Sequence, residues 1–419
     1  MNLESNMREL AASARTAART LATATGLQRD KALTVLADLL DGSRREIFEA
    51  NARDLEAARA GGLDEARIDR LRITEKGVDS MADACRHVAG LSDPVGEVEG
   101  MIRRPNGLLV GRMRIPLGVI AIIYESRPNV TIDAAILCLK AGNSVILRGG
   151  SEAYHSNQVL GGLLRRALAG AGLPEGCVQM VPTTDRAAVK HLLSLDEYID
   201  VVIPRGGEGL IRAVVQDATM PVLKHYKGVC HIYVHADADQ DQALAIIENA
   251  KVQRPGVCNA LECLLVHKAA AQEFLPLLAA RLAPQGVSFR ACPRSLPLLG
   301  DSARPAAADD FGREFLALTL AVKVVDTQAE AEEHIAAYGS GHSEAILTRT
   351  HDRAMRFLRT VDASCVLINA STRFNDGGEL GLGAEIGIST SKIHSYGPMG
   401  VKELTSLKYI VFGEGQVRA

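Results

Sequence analysis

The chain has 419 residues, 47% of them hydrophobic and 23% charged, with 47 Lys and Arg against 50 Asp and Glu and a formal net charge of −3. A single core stops growing near about 250–300 residues, so this length predicts two or three domains. The composition is that of a globular protein and excludes wholesale disorder, and the lack of a basic excess argues against nucleic acid as a partner.

The sequence indicates neither membrane insertion nor secretion. Charged residues such as Glu4 and Arg8 interrupt the N-terminal segment, which therefore lacks a signal-peptide core. No uncharged apolar run is long enough to span a bilayer. The eight cysteines are sparse and form no CxxC pair, which argues against a disulfide scaffold or a zinc site. We therefore expect a cytoplasmic protein with no membrane partner and no metal.

The first 116 residues divide into a helical region and a hairpin. Apolar residues recur at helical spacing within 5–91, which predicts scaffold helices. Residues 97–116 contain two β-prone runs around Asn106-Gly107, a pair that favours a tight hairpin because it tolerates positive φ. From these residues alone, the hairpin could be an edge ribbon of its own domain or an oligomerisation arm.

From residue 116 onward, short apolar runs alternate with helical patterns, which predicts parallel sheets covered on both faces by helices. The predicted strands are 119–124, 144–148, 178–181, 201–204, 230–234, 262–266, 321–325, 344–347 and 365–368. The predicted helices are 131–141, 155–170, 185–194, 239–252, 270–282, 327–337 and 351–359. Ligands of such doubly wound folds bind at the carboxyl ends of the strands. The tail 404–412 is again typical of a strand.

Cys258 is the cysteine whose position favours chemistry. It follows a Pro-Gly break and precedes a predicted strand, so its thiol should lie on a constrained, accessible turn. A thiolate at such a place is a good nucleophile for an activated carbonyl. Without further information, the ordinary interpretation that Cys258 is a small apolar residue near a turn is favoured, as it is for the other seven cysteines.

A polar loop follows the first central strand. Asn129 could donate an amide hydrogen to an oxyanion, and Arg127 could hold a phosphate or carboxylate in a bidentate manner. Ser126 lies beside them. The alternative is a turn in which Pro128 and Asn129 only shape the backbone, and the spacing does not separate the two interpretations.

Two glycine-containing turns follow later strands. Arg148, Gly149 and Ser151 follow 144–148, where glycine allows close approach of a phosphate-bearing ligand and arginine supplies charge. Gly206 and Gly207 follow 201–204 and open a helix. Neither turn is the GxGxxG fingerprint. Each alone favours a tight strand-to-helix turn, and together they favour a nucleotide site.

A histidine-rich stretch invites a metal interpretation. His225, His231 and His235 are irregularly spaced across a presumed turn and strand, so their side chains are not expected to share one face. We therefore predict no zinc site there.

The chain resembles the γ-glutamyl phosphate reductases (glutamate-5-semialdehyde dehydrogenases), a branch of the aldehyde dehydrogenase superfamily, from about Leu21 to Gly415. The motifs that carry the resemblance are QRPGVCNALE (253–262), IYESRPNVT (123–131), KAGNSVILRGGSEA (140–153), HIAAYGSGHSEAI (334–346) and NDGGELGLGAEIGISTSKIHSYGPMG (375–400). The resemblance implies an α/β, aldehyde-dehydrogenase-like fold with two doubly wound parallel-sheet domains and a β-hairpin oligomerisation arm. It also divides the chain: 1–96 and 117–227 would bind NADPH, 228–398 would be catalytic, and 97–116 with 399–415 would form the arm of a homo-oligomer.

The implied reaction is the NADPH-dependent reduction of L-glutamate 5-phosphate to L-glutamate 5-semialdehyde in proline biosynthesis. Cys258 falls on the family's nucleophile and would form a thioester, with its backbone N–H and Asn129 as the oxyanion donors. Arg127 and Ser126 compete with Asn129 for that role or bind substrate. Glutamate kinase, which makes the substrate, is a candidate partner.

The same resemblance assigns the cofactor residues. Arg148, Gly149 and Ser151 would meet the adenosine ribose and its 2′-phosphate, and Glu314 would hold the nicotinamide ribose. Gly206 and Gly207 complete the expected cofactor set.

One departure concerns the water-activating glutamate of hydrolytic aldehyde dehydrogenases. The matching stretch 223–228 contains Lys224 and His225 and no carboxylate. This composition suits an enzyme that expels phosphate, and Lys224 and His225 are expected near the substrate.

Two other functions compete with this one. The first is a CoA-acylating aldehyde dehydrogenase, which also lacks the glutamate base. The second is an inactive partner that shields the acyl phosphate beside glutamate kinase, which the intact segment around Cys258 argues against. The residues that bind the substrate's α-amino and α-carboxylate groups are not identified by the sequence.

Overall fold

The computed structural model describes residues 2–418, which divide into two compact units. The first unit comprises 2–224, 382–387 and 399–418, and the second comprises 225–381 and 388–398. The sequence-based division placed 382–387 with the catalytic domain, whereas these residues pack within the first unit. The functional names given to the predicted domains stay predictions. Within the described part of the chain, no helix has the length and apolar character needed to cross a membrane.

Strands and helices alternate along most of the chain. The strands are β1 (Val98–Arg103), β2 (Leu109–Pro116), β3 (Val119–Tyr124), β4 (Ser144–Arg148), β5 (Val178–Met180), β6 (Val201–Arg205), β7 (Cys230–Val234), β8 (Leu261–His267), β9 (Ser288–Ala291), β10 (Ala303–Pro305), β11 (Thr319–Val325), β12 (Ser343–Leu347), β13 (Cys365–Ile368), β14 (Ile388–Ser389), β15 (Gly397–Pro398) and β16 (Thr405–Phe412). The α-helices are α1 (Leu3–Leu21), α2 (Gly26–Gly42), α3 (Arg44–Ala60), α4 (Glu65–Leu71), α5 (Glu75–Ala89), α6 (Asn129–Lys140), α7 (Tyr154–Gly170), α8 (Ala187–Leu193), α9 (Glu208–Asp217), α10 (Gln240–Val252), α11 (Lys268–Leu282), α12 (Gln328–Tyr338) and α13 (His351–Thr360).

The first unit contains a parallel sheet in the order β5-β4-β3-β6. Every residue of β3 is buried, and successive side chains join different apolar clusters. Ile120 and Ile122 pack with α2, α6 and α7, whereas Ala121 and Ile123 pack with α1 and α8. Because side chains of a strand alternate between the two faces of its sheet, helices cover this sheet on both faces, as predicted.

The predicted hairpin is formed by β1 and β2. Its turn is longer than an Asn-Gly pair: Gly107 N–H donates to the Arg104 carbonyl (2.9 Å), and the Arg104 N–H donates to the Leu108 carbonyl (2.7 Å). Gly107 has φ 90°, whereas Asn106 is not among the residues with positive φ. The predicted hairpin is therefore present, with Pro105 and Asn106 at the centre of its turn and the left-handed position on Gly107.

The C-terminal strand completes the sheet of the hairpin. β16 pairs antiparallel with β2 from Thr405 opposite Pro116 to Phe412 opposite Leu109, giving the order β1-β2-β16. The two segments that the resemblance assigned to one arm are thus hydrogen-bonded to each other over eight residue pairs. Their role in oligomerisation stays a prediction.

The second unit contains a parallel sheet in the order β10-β9-β11-β8-β7-β12-β13. Two of its strands, β9 and β10, were not predicted from the sequence. β9 is four residues long and includes Arg290, and β10 is three residues long and ends at Pro305, so neither forms an apolar run. The predicted α/β fold with parallel sheets and an antiparallel hairpin sheet is confirmed.

Candidate active site

Cys258 lies in the turn between the end of α10 and the start of β8, as the sequence predicts. Its side chain is half-buried, whereas Cys85, Cys138, Cys177 and Cys230 are buried. Burial raises the pKa of Cys85 to about 12 and that of Cys177 to about 11, so these thiols stay protonated at neutral pH. Cys258 is therefore better exposed to a reactant than the thiols of the core.

Gly228 packs directly against the backbone of Cys258. A Cβ atom built at Gly228 would lie 1.9 Å from the carbonyl oxygen of Cys258, so only glycine permits this backbone contact. The N–H of Gly228 donates to Glu314 Oε1 (2.8 Å). Glu314, which the resemblance places at the nicotinamide ribose, is thereby connected to the turn that carries Cys258.

Two histidines lie beside the Cys258 thiol. The sulfur and one ring nitrogen each of His225 and His342 all lie within 4.8 Å of one another. His225 Nδ1 is 2.7 Å from the Ile388 carbonyl oxygen, which can only accept, so Nδ1 carries the hydrogen. When this ring is neutral, its Nε2 is an acceptor. Burial lowers the pKa of His342 to about 3, so His342 is neutral at physiological pH.

The histidine-rich stretch does not converge on one point. His231 belongs to a buried group with Cys263 and His334, and His235 contacts Asp237 and Arg353 instead. Each of the two groups made of one cysteine and two histidines has residue types that zinc prefers. The group of His225, Cys258 and His342 contains the predicted nucleophile. Neither group was predicted from the sequence.

The residue after Cys258 is fixed by a distant segment. Asn259 Nδ2 donates to the Asn375 carbonyl (3.0 Å), and Thr372 Oγ1 donates to the Asn259 carbonyl (2.7 Å). Asn375 Nδ2 also donates to the His342 carbonyl (3.2 Å). Hydrogen bonds of the segment 372–375 therefore connect the Cys258 turn to His342.

A buried ion pair connects the helix before the Cys258 turn to the strand after it. Lys251 on α10 and Glu262 on β8 are fully buried, with Lys251 Nζ 2.7 Å from Glu262 Oε2. Glu262 Oε1 accepts from the Leu316 N–H (3.0 Å). Burial raises the pKa of Glu262 to about 7 and lowers that of Lys251. The pair joins the two elements between which the Cys258 turn is held.

The polar loop after β3 lies in the first unit. Asn129 is the first residue of α6, and its Nδ2 donates to Asp133 Oδ2 (2.8 Å). An amide nitrogen has two N–H groups, so this bond orients the amide and leaves a second donor. Ser126 has φ 26°, and its N–H donates to Glu152 Oε1 (2.8 Å). Arg127 lies between them in sequence, and its predicted contact with substrate stays a prediction.

Arg148, Gly149 and Ser151 line one pocket at the carboxyl ends of β4 and β5. Arg148 Nη1 donates to the Gly149 carbonyl (2.9 Å) and Nη2 to the Thr184 carbonyl (3.1 Å). A Cβ at Gly149 would lie 2.1 Å from Asn157 Nδ2, so glycine keeps the backbone open there. Among the described residues, the buried Arg148 Nε has no hydrogen-bond partner. The cationic Arg148 and the open backbone at Gly149 are the features on which the predicted cofactor role depends, and that role stays a prediction.

The other cofactor and substrate candidates lie elsewhere. Gly207 opens α9, where its N–H donates to Glu125 Oε2 (3.1 Å) beside Gly206, and neither glycine lines the Arg148 pocket. Lys224 is the last residue of the segment 2–224 of the first unit, whereas His225 is the first residue of the second unit. Within the second unit, the structure places His225, one of the predicted substrate residues, beside the Cys258 thiol.

A second pocket of the first unit contains Asn129. It lies among α4, α5 and the start of α6, and its polar lining consists of Arg70, Arg72, Ser80, Asn129 and Asp133. Arg70, Arg72 and Asp133 were not among the predicted site residues. No local signal distinguishes them from other charged residues of helix surfaces.

Comparisons with known proteins identify the family of the chain. Residues 3–288 match the aldehyde dehydrogenase family. The chain is 63% identical to γ-glutamyl phosphate reductases from Solidesulfovibrio magneticus and Nitratidesulfovibrio vulgaris, with 100% of each chain covered in both comparisons. It is also similar to the crystal structure of γ-glutamyl phosphate reductase from Thermotoga maritima, with 47% identity, a TM-score of 0.97, and 99% of this chain and 100% of that chain covered.

Proposed function

Because the chain belongs to the aldehyde dehydrogenase family and to its γ-glutamyl phosphate reductases, and is thus an oxidoreductase of proline biosynthesis, we propose that it reduces L-glutamate 5-phosphate with NADPH. The products would be L-glutamate 5-semialdehyde, phosphate and NADP⁺. The observation that carries this proposal is the half-buried Cys258 thiol, set on a fixed turn beside the imidazoles of His225 and His342.

The first half of the proposed reaction is acyl transfer to Cys258. His225 Nε2 takes the thiol proton, and the Cys258 thiolate attacks the acyl phosphate carbonyl. The new C–S bond forms as the C–O bond to phosphate breaks, and phosphate leaves with the proton that His225 returns. A thioester on Cys258 results.

The second half is reduction of that thioester. When bound, NADPH supplies a hydride to the thioester carbonyl carbon. The C–S bond then breaks, which releases the semialdehyde and restores the Cys258 thiolate. Each tetrahedral intermediate carries an oxyanion, for which the Cys258 backbone N–H and the Asn129 amide are the proposed donors. Loss of one such donor raises the barrier by about 2.7–4 kcal/mol.

The Arg148 pocket is the proposed site for the adenosine end of the cofactor. Its open backbone at Gly149 and the cationic Arg148 suit a ribose that carries a 2′-phosphate, which NADPH has and NADH lacks. Ser151 adds a hydroxyl at the same wall. Glu314, Gly206 and Gly207 stay candidates for the rest of the cofactor.

The composition of the stretch 224–228 favours phosphate over water as the acyl acceptor. Residues 224–228 supply Lys224, His225 and Lys227 and no carboxylate, and His225 is the member of this stretch that lies at the thiol. A carboxylate base that activates water would hydrolyse the thioester to glutamate, whereas this cationic or neutral set suits a phosphate anion.

The test is the reverse reaction in phosphate-free buffer. Oxidation of L-glutamate 5-semialdehyde with NADP⁺, followed by NADPH absorbance, should stop after about one turnover per site and resume on addition of phosphate or arsenate. Arsenate should give sustained turnover because the acyl arsenate decomposes in water. Sustained turnover with CoA alone would identify a CoA-acylating enzyme, and turnover without any addition would identify a hydrolytic one.

The cellular context of this activity is also proposed. The described cysteines are free thiols, which is consistent with a reducing compartment, and we expect the cytoplasm. A homo-oligomer and a complex with glutamate kinase stay predictions.

A further inference from the structure

Two arginines line the pocket that contains Asn129. Arg70 lies in the last turn of α4, and Arg72 directly follows that helix. Among the described residues, neither guanidinium has an ion-pair partner, whereas Arg67 of the same helix pairs with Asp64 at 3.4 Å. Two unpaired guanidinium groups on one pocket wall form a site for a carboxylate or another small anion.

The opposite charge in the pocket comes from Asp133. This residue lies one helical turn after Asn129 on α6 and accepts a hydrogen bond from its amide. Burial raises the pKa of Asp133, although the hydrogen bond from Asn129 and the charge of Arg205 oppose that effect. A partly buried carboxylate of this kind is stabilised by a cation that enters the pocket.

We propose that this pocket binds the amino-acid end of the substrate, with Arg70 and Arg72 on the α-carboxylate and Asp133 on the α-ammonium group. The inference rests on the proposed function, which requires a substrate with these two groups. The pocket has the complementary pattern: two cations and one partly buried anion within one lining. Asn129, the proposed oxyanion donor, lines the same pocket.

Three aldehydes test the assignment in the reverse reaction with NADP⁺ and phosphate. L-Glutamate 5-semialdehyde carries both groups, 5-oxopentanoate lacks the ammonium group, and 4-aminobutanal lacks the carboxylate. R70Q and R72Q should each lower kcat/KM about tenfold or more for the two aldehydes that carry a carboxylate. The same variants should leave 4-aminobutanal unchanged, and the matched control R67Q should leave all three unchanged.

Asp133 is tested by a ratio of substrates. D133N should shift the kcat/KM ratio of L-glutamate 5-semialdehyde to 5-oxopentanoate toward the latter, because only the former carries the ammonium group. The ratio cancels any change in the orientation of Asn129, which affects both aldehydes alike. An unchanged ratio would overturn the role of Asp133.

A binding measurement distinguishes failure of this inference from failure of the proposed function. Calorimetric titration with L-glutamate as the probe should show binding to the wild type and loss of binding in the R70Q/R72Q double variant. A wild type that turns over the semialdehyde while the arginine variants keep their affinity and kcat/KM would overturn the inference alone. Equal losses on all three aldehydes would also overturn it, since they would mark a structural role. A wild type that binds L-glutamate through these arginines but shows no NADP⁺-dependent turnover would overturn the proposed function and retain the pocket.

Discussion

Gly228 and Cys258 are in backbone contact, although 29 residues separate them in sequence. A Cβ at Gly228 would lie 1.9 Å from the Cys258 carbonyl oxygen and 2.8 Å from its Cα. These are backbone atoms, so they cannot rotate aside as a flexible side chain would. Any side chain at Gly228 must therefore displace the turn that carries Cys258.

Gly228→Ala should lower the free energy of unfolding by about 1–3 kcal/mol, as overpacking does, and should abolish most reductase activity. The matched control is Gly162→Ala on α7, where nothing lies within 4 Å of the new methyl group. That variant should be neutral or more stable by up to about 1 kcal/mol, since alanine favours helix over glycine. Urea unfolding and kcat are the measurements, and an active, fully stable Gly228→Ala would contradict the contact.

Cys258→Ser should fold normally and lose nearly all activity, because a serine hydroxyl is not ionised by the imidazole beside it as a thiol is. Iodoacetamide should label Cys258 before the buried cysteines, and NADP⁺ should alter the rate. Cys365→Ser is the control, since Cys365 is also half-buried but burial raises its pKa. Retention of more than a few per cent of wild-type kcat in Cys258→Ser would rule out the thioester.

Breaking the Lys251–Glu262 pair should cost about 3–5 kcal/mol of stability in each single variant, Lys251→Met or Glu262→Gln, because an uncompensated buried charge remains. The double variant should recover most of the loss, and its glutamine keeps an acceptor for the Leu316 N–H. Urea unfolding of the four proteins gives the coupling free energy. Single losses that simply add in the double variant would show that the pair is not coupled.

The Lys251→Met variant should also depend on pH in a defined direction. The pKa of Glu262 in the folded protein is raised above its ordinary value of 4.5, to about 7 even with Lys251 present. A raised carboxyl pKa means that the folded state holds the proton more tightly, so stability falls as pH rises through this window. The loss in Lys251→Met should therefore be smaller near pH 5 than at pH 8.

Arg148→Ala should raise KM for NADPH more than for NADH, because the guanidinium is proposed to meet the 2′-phosphate. The expected difference is about 1.5–3 kcal/mol, as for a hydrogen bond to a charged group. Arg166→Ala, an exposed arginine of α7 outside the pocket, should change neither KM. Equal losses for the two cofactors would place the 2′-phosphate elsewhere, with Arg205 as the next candidate.

The sheet β1-β2-β16 exposes apolar side chains that a homo-oligomer would cover. Ile102 and Val411 flank Val110 in the strand register and are 57% and 56% exposed. The double variant Ile102→Lys/Val411→Lys should lower the mass measured by light scattering while circular dichroism stays unchanged. Val417→Lys, 89% exposed and outside the sheet, is the control. An unchanged mass in the double variant would contradict the oligomerisation arm.

The sequence by itself determined the α/β architecture and pointed to Cys258 as the candidate nucleophile. The runs 119–124 and 230–234, apolar apart from His231, became strands with the predicted bounds, because a strand buried on both faces is largely apolar. The Pro-Gly break before Cys258 fixed the turn locally, and the motif around it carried the family resemblance. Local periodicity could not detect β9 and β10, since a short strand with Arg290 or Pro305 has no apolar run.

Only the tertiary structure decided what surrounds Cys258 and Asn129. His342 is 84 residues from Cys258 in sequence, and the segment 372–375 reaches Asn259 across more than a hundred residues. Asp133 lies on α6, whereas Arg70 lies at the end of α4 and Arg72 directly follows that helix. A sequence pattern reports which face of its own helix or strand is apolar, but not which distant element packs there. Such contacts depend on the packing of the whole unit, and for that reason the sequence singled out Cys258 but not its neighbours.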